Sequence, residues 1–424
     1  MLRLLIIAVL SSTSVQLIAQ SDSTRTFELD LEFRPRFEYR DGYRSLTADS
    51  LKPAYFVSQR SRLNLNFTQK KFNFYFSTQD VRIFGQDGSS TANTTLGVFE
   101  SYASFPLGSR FNIKVGRQSV ELDNGRLLSR ANWNQYSRSH DGFQLNYTGD
   151  KVANDLLFFY NQTGSANFGN DYPLNFYKYL FIQYATYQAS KSVEFKVLNI
   201  VDGYQGTLNP SAIYARATSG GRLSYEGSIF QATVSGYFQY GHDNSGRQIS
   251  AYYVQPEIGF RKKKFSAQLG MEYMSGDDAN NPDNINNSFN TLYGVAFKFM
   301  GHMDYFTSFP NDVKGAGLIN PYLFLEYKLS KKWRLKLESH AFMLQNTLYD
   351  LSSNALNPFL GIESDVVIKY TISNEMFFDF GFSAMSASST MGFIKTGDYR
   401  KTPIYSYFMF TWKPTLFRAV QPIK

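Results

Sequence analysis

The sequence predicts an all-β transmembrane antiparallel barrel of about 18 strands with long external loops. Three observations lead there. Apolar and charged residues alternate with period two along the whole chain, the connections between these segments run short and long in turn, and Phe, Tyr and Trp make up 17% of the residues.

Taken in order, the chain opens on Arg3, an apolar run over residues 4–10 and small residues leading to Ala19. This is the layout of a cleaved export signal. A spanning helix needs about 20 clean apolar residues, and Ser11, Ser12, Thr13 and Ser14 break the run. Residues 1–20 are therefore read as a signal peptide and 21–424 as one barrel domain, with no linker composition to divide it.

The first strand sets the pattern. Phe27, Leu29, Leu31, Phe33, Phe37 and Tyr39 alternate with Glu28, Asp30, Glu32, Arg34, Arg36, Glu38 and Arg40. Successive side chains of a strand face opposite ways, so one face is apolar and the other charged. Leu63, Leu65 and Phe67 repeat it against Arg62, Asn64 and Asn66; later come Val193, Phe195 and Val197 against Glu194 and Lys196, and Trp333, Leu335 and Leu337 against Arg334, Lys336 and Glu338. Most segments reach about ten residues, the length of a tilted bilayer-spanning strand.

Short connections fall near residues 69–71, 106–109, 149–153, 189–191, 226–227, 261–263, 330–332 and 373–374. Long ones cover 41–53, 85–95, 121–137, 163–177, 201–211, 241–248, 275–315, 347–360 and 387–403. Short periplasmic turns and long outer loops follow from this alternation, with both ends in the periplasm. Residues 292–299 also look like a strand. Counting them would make the total odd and put the turn at 330–332 outside, so residues 290–309 are assigned to one long outer loop, as a hairpin or folded into the mouth.

Composition excludes several functions. There is no cysteine, hence no disulfide framework, lipoprotein anchor or thiolate metal site. The net charge of +8 is spread through strands rather than gathered on an arm or helix, which argues against nucleic acid. No nucleophile elbow or metalloprotease motif accompanies the four histidines. His140 sits between Ser139 and Asp141, and neighbours on a strand point apart, so that triplet is no relay. Residues 275–287 are rich in Asp and Asn; Asx turns explain this better than calcium, since the spacing is not that of an EF-hand loop. No cofactor, metal or catalytic residue is expected.

Two stretches are the most specific. Residues 114–147 contain KVGRQ, DNGRL, an Asn-Trp pair, Gln135, Arg138 and DGFQLNY; residues 270–306 contain GMEYMSGDD, SFNTLYG and KFMGHMDYF. These resemble the alginate-export family of outer-membrane barrels, and the strand pattern agrees over nearly the whole mature chain. The resemblance implies an 18-stranded monomeric barrel with an electropositive conduit.

The expected function is a porin or exporter-type channel in outer-membrane lipid, passing anionic small solutes or an acidic polysaccharide. The alternative is a barrel plugged by residues 275–315 that serves surface binding or adhesion. The pore-lining candidates are Arg34, Arg36, Arg60, Arg62, Lys196, Arg334 and Lys336, together with Glu272 and Glu338 and with Arg126 and Arg138 from the third outer loop. Fixed cations raise the local anion concentration, and interspersed acids keep any one site from trapping the solute. Asp123, Arg130 and Trp133 are expected in a constricting third loop. Arg117 shares the phase of Phe111, Ile113 and Val115; a charge facing lipid is costly at the midplane and little so near the interface, so Arg117 either sits at the rim or is turned inward by a bulge, and the bulge is expected. Asp80 and Arg82 pose the same conflict.

Overall fold

The computed structural model describes residues 24–88, 95–169, 172, 176–278 and 284–423. The predicted signal peptide lies outside them. Eighteen antiparallel strands pair with their chain neighbours all the way round, from β1 (Thr24–Asp41) and β2 (Ala54–Gln69) to β18. The last strand is interrupted. Its two halves, Ile404–Trp412 and Thr415–Pro422, pair with the upper and lower parts of β1 and close the barrel. Pro414 explains the break: it has no N–H for the ladder, although its carbonyl still accepts from Leu31 N at 3.0 Å.

Alternation sets the register. Glu32 stands opposite Arg62, and Arg34 opposite Arg60. Outward lie Phe37, Leu63, Phe74, Val197, Leu337 and Phe408, all exposed to what is lipid in place. Aromatic rings gather at the periplasmic strand ends, with Trp333 against Tyr370 at 4.5 Å and Phe111 against Tyr147 at 5.1 Å. Inward lie Glu32, Arg34, Arg36 and Glu38, all buried. Since barrels expose only lumen or lipid, this burial means that something fills the lumen.

The filling comes from the third loop, residues 119–139, and the seventh, residues 275–278 and 284–317. Residues 292–299 form no wall strand, as expected, and the segment is folded into the mouth. Phe289, Met300, Met303, Tyr305 and Phe306 are almost wholly buried there. A short helix in the ninth loop, α1 (Ser389–Lys395), lies over this core and buries Met391. It was not expected, and its sequence STMGFIK is marked only by Ser388, whose side chain caps it by accepting from Met391 N at 3.2 Å.

The bulge expected at Arg117 lies elsewhere. Strand β5 (Phe111–Gln118) keeps an unbroken register with both neighbours. Arg117 faces outward at its upper end and pairs with Asp141 at 2.7 Å. A charge near the interface costs little, so no inward turn is needed and Arg117 does not line the pore. Asp80 and Arg82 likewise pair at the outer rim, 2.7 Å apart. The nearest register shift is between β3 (Phe72–Ile83) and β4 (Leu96–Leu107), where Phe99 and Glu100 are both buried.

The topology is directly checkable because the chain has no cysteine. Cysteines introduced at Asn167 or Ser352 should react with an impermeant maleimide on intact cells; those at Lys151 or Lys331 should not. Outside labelling at Lys331 would overturn the strand count.

Candidate functional site

The third loop has no regular structure, so its carbonyls need donors from elsewhere. The first two strands supply them. Arg34 donates to Asn132 O at 2.8 Å and, through Nε and Nη2, to the Gln135 side chain at 3.0 and 2.8 Å. Arg36 donates to Trp133 O at 2.8 Å and to Glu38 at 2.9 Å. Arg60 reaches Asn132 Oδ1 at 3.0 Å and Ser137 Oγ at 2.9 Å, and forms an ion pair with Glu32. Arg62 bonds Gln79 at 2.6 Å and stacks 3.7 Å over Phe99. These four arginines, expected to face the pore water, are at most 6% exposed. Their geometry makes them the seat of the third loop. The fork of five N–H donors on a guanidinium suits it to gathering several carbonyls at once.

A second seam joins the third loop to the seventh. Tyr293 N donates to Leu127 O at 3.0 Å, and Ser129 N to Tyr293 O at 3.1 Å. Gly294 has no room for a Cβ against the Arg126 carbonyl. Arg126 pairs with Glu272 of β13 (Phe265–Met274) at 2.6 Å, with side chains 3% and 0% exposed. Glu272 also accepts from Tyr253 OH at 2.8 Å and Asn320 Nδ2 at 3.1 Å. Arg126 and Glu272 are thus internal struts rather than lining residues. Arg138 donates to the Tyr293 carbonyl, and burial presses its pKa down. Trp133 stacks on Phe297 at 3.9 Å, and Phe297 on His302 at 4.0 Å. Arg130 stands 3.8 Å from Glu100.

Below this packed layer, toward the periplasm, lies a chamber of about 580 Å³. The seventh loop roofs it with Phe297, Lys298, Phe299 and His302. Its wall carries Arg222, Arg334, Lys336 and Lys369 against Glu257, Glu338 and Asp379. With Lys298, five cations face three carboxylates. Arg334 and Lys336 keep 46% and 41% of their side chains exposed, so these two expected residues do face open space. Lys196 and Arg222 bind Asp123 of the third loop at 3.4 and 3.7 Å, and Arg222 also approaches Glu257 at 3.4 Å. Lys298 donates to Asn124 O at 2.8 Å. Its pKa is lowered because burial outweighs the pull of Glu121.

Arg222, Lys369 and Asp379 were missed, although alternation marks them. Leu223 and Tyr225 point outward beside Arg222, and Ile362 and Phe380 do so on the strands of Lys369 and Asp379. Lys298 comes from an irregular loop and carries no such signal.

At the chamber roof, His302 Nε2 lies 3.1 Å from Glu338, within a buried group that includes Asp365. Burial alone would lower the His302 pKa; Asp365, Glu338 and Asp304 outweigh it and raise it. His140 is buried with Nδ1 2.7 Å from Tyr177 OH, and His340 with Nδ1 3.0 Å from Asn320. The Asp/Asn-rich run is only partly within the described residues; there Asp277 accepts from Asn287 N at 2.7 Å, an internal loop contact.

The family model for alginate export matches residues 25–383. The chain belongs to the alginate-export family. Membership makes it an outer-membrane porin-like barrel channel, not an enzyme. No curated protein matches the sequence. Among solved structures, OccAB4 of Acinetobacter baumannii is similar at a TM-score of 0.63 and 12% identity, over 92% of this chain and 98% of that one. OpdL of Pseudomonas aeruginosa gives 0.63 and 12% over 92% and 99%. OccK5 (OpdH) of the same organism gives 0.58 and 12% over 92% and 98%. At such identity the likeness shows the barrel architecture alone.

Proposed function

We propose that this family member passes anionic small solutes or an acidic polysaccharide through its lumen as a monomer, with selection in the chamber beneath the loops. The observation that carries this reading is the excess of cations there: Arg222, Lys298, Arg334, Lys336 and Lys369 against Glu257, Glu338 and Asp379. Low-dielectric walls focus such a field and enrich anions. The carboxylates keep each contact weak enough for release. The arginines of β1 and β2 contribute mainly by holding the third loop, so the anion preference rests on the lower lumen rather than the upper.

The expected result in planar bilayers under a salt gradient is a reversal potential favouring Cl⁻ over K⁺. Lys336→Glu with Lys369→Glu should reduce or reverse the preference. Raising ionic strength should weaken it, because the Debye length falls from about 8 Å at physiological salt to about 3 Å at 1 M. A cation-selective wild type would sink the proposal. The packed mouth favours one other reading, a plugged barrel for surface binding; absence of any steady conductance would support it.

A further inference from the structure

We propose that His302, Glu338 and Asp365 form a divalent transition-metal site, of the kind zinc occupies, that fastens the seventh loop to the barrel wall. His302 comes from the loop, Glu338 from β15 (Trp333–Leu344) and Asp365 from β16 (Phe359–Thr371). One donor atom from each lies within 4.8 Å of the others. Tetrahedral metal–nitrogen and metal–oxygen bonds of about 2.0–2.2 Å put two donors on one ion about 3.3–3.6 Å apart. The widest spacing therefore has to close by about 1.2–1.5 Å, through rotation of the carboxylates and the imidazole. One imidazole and two carboxylates are the donor set of zinc, cobalt or nickel rather than of calcium or magnesium.

Unanswered polar atoms point to a ligand independently of the clustering. Asp365 is fully buried, and neither of its oxygens has a well-formed hydrogen bond, although Ser383 and Glu363 lie beside it. His302 Nδ1, also buried and unpartnered, faces Asp365 Oδ1 at 4.0 Å. One oxygen of Glu363 is unpartnered as well, while the other accepts from Met303 N at 2.8 Å. A buried carboxylate left without a counter-charge is strongly unfavourable, because burial strips the water that would solvate it. The cation nearest the group is Lys336, 3.7 Å from Glu338 on the chamber side. A dication among these donors, bound to one ring nitrogen of His302, would answer the Asp365 carboxylate and add a counter-charge beside Glu338 and Glu363.

The setting is also built. Phe297 stacks on the imidazole at 4.0 Å and fixes its plane. Gly301, at φ +81°, lets the loop backbone press on the Glu363 carboxylate, where a Cβ would overlap it. His302 and Glu338 border the chamber, which gives an ion a path from the periplasmic side.

The test uses the purified, folded full barrel, stripped of metal with a chelator and titrated with Co²⁺ alone. Saturable binding of one equivalent with a visible ligand-field band is expected, displaced by Zn²⁺. His302→Gln and Asp365→Asn, each checked for heat-modifiable migration as folded barrel, should each weaken Co²⁺ binding by about 100-fold or more, since even supporting residues around metal ligands cost 10–100-fold. Asp350→Asn, on the eighth loop, should leave it unchanged. Wild-type barrel that takes up no stoichiometric Co²⁺ would overturn the site, as would a folded Asp365→Asn barrel that binds it equally well. Either result would mean that protons, on His302 or shared by Glu363 and Asp365, answer these charges. Ion selectivity is a separate measurement, so the chamber proposal stands or falls independently.

Discussion

Replacing Arg126 with alanine is expected to open the mouth without unfolding the barrel. Its guanidinium lies 2.6 Å from Glu272, which is fully buried. After the substitution, Glu272 keeps only Tyr253 OH and the Asn320 amide as donors. Breaking a buried pair from one side costs about 3–5 kcal/mol, because a charge is left uncompensated. The same change frees the Val295 carbonyl, which accepts from Arg126 at 3.1 Å. The ladders around the wall are untouched, so the penalty falls on the closed arrangement of the two loops. At about 1.4 kcal/mol per tenfold, the closed-to-open ratio should fall by about 10²-fold to about 4 × 10³-fold.

Single-channel recording should therefore give larger or flickering conductance for Arg126→Ala. Proteolysis within residues 119–139 and 284–317 should speed up while the barrel still migrates as folded. Adding Glu272→Gln should recover part of the closed state, because a neutral amide no longer carries a stranded charge. Wild-type conductance and proteolysis in Arg126→Ala would show that this pair is not what holds the seam.

The wall was largely legible in the sequence because its signal is local. Period two assigns Glu32, Arg34, Arg36 and Arg62 to one face without knowledge of any partner. Parity then kept residues 292–299 out of the wall. The mouth was not legible in the same way. Alternation says that Arg34 faces inward, not that Asn132 and Gln135 wait there, roughly a hundred residues along the chain. Arginines that read as a lining for passing anions turned out to be donors for the protein's own carbonyls. At Arg117 the error was one of height. The apolar phase was right, but the rim position tolerates a charge and Asp141 answers it. The metal-donor group was out of reach for a third reason: Glu338 and Asp365 share a face by phase, but His302 reaches them from irregular backbone.

The paired change Arg34→Met with Arg60→Met is expected to release the third loop and to do so at any salt concentration. Methionine keeps most of the hydrocarbon and removes the donors. The Asn132, Asn134 and Gln135 carbonyls then lose bonds made now by Arg34 and Arg60. Hydrogen bonds from a charged group are worth about 1.5–3 kcal/mol each, and a buried acceptor left unanswered costs about 1–3 kcal/mol. Several such losses act on one loop, so the effect should match or exceed that of Arg126→Ala. Glu32 is not stranded, because Lys413 stands 3.2 Å from it. Arg62→Met should do less, since its closest bonds run to Gln79 and its ring contact to Phe99, both on the wall. Salt separates the roles of the cations. Charges open to the chamber lose influence as the Debye length shortens, whereas contacts buried under the loop are barely screened. Conductance of the Arg34/Arg60 double variant should therefore exceed the salt-scaled wild-type value by the same ratio at about 0.1 M and about 1 M salt. A difference seen only at low salt would return these arginines to the role of an open, anion-attracting lining.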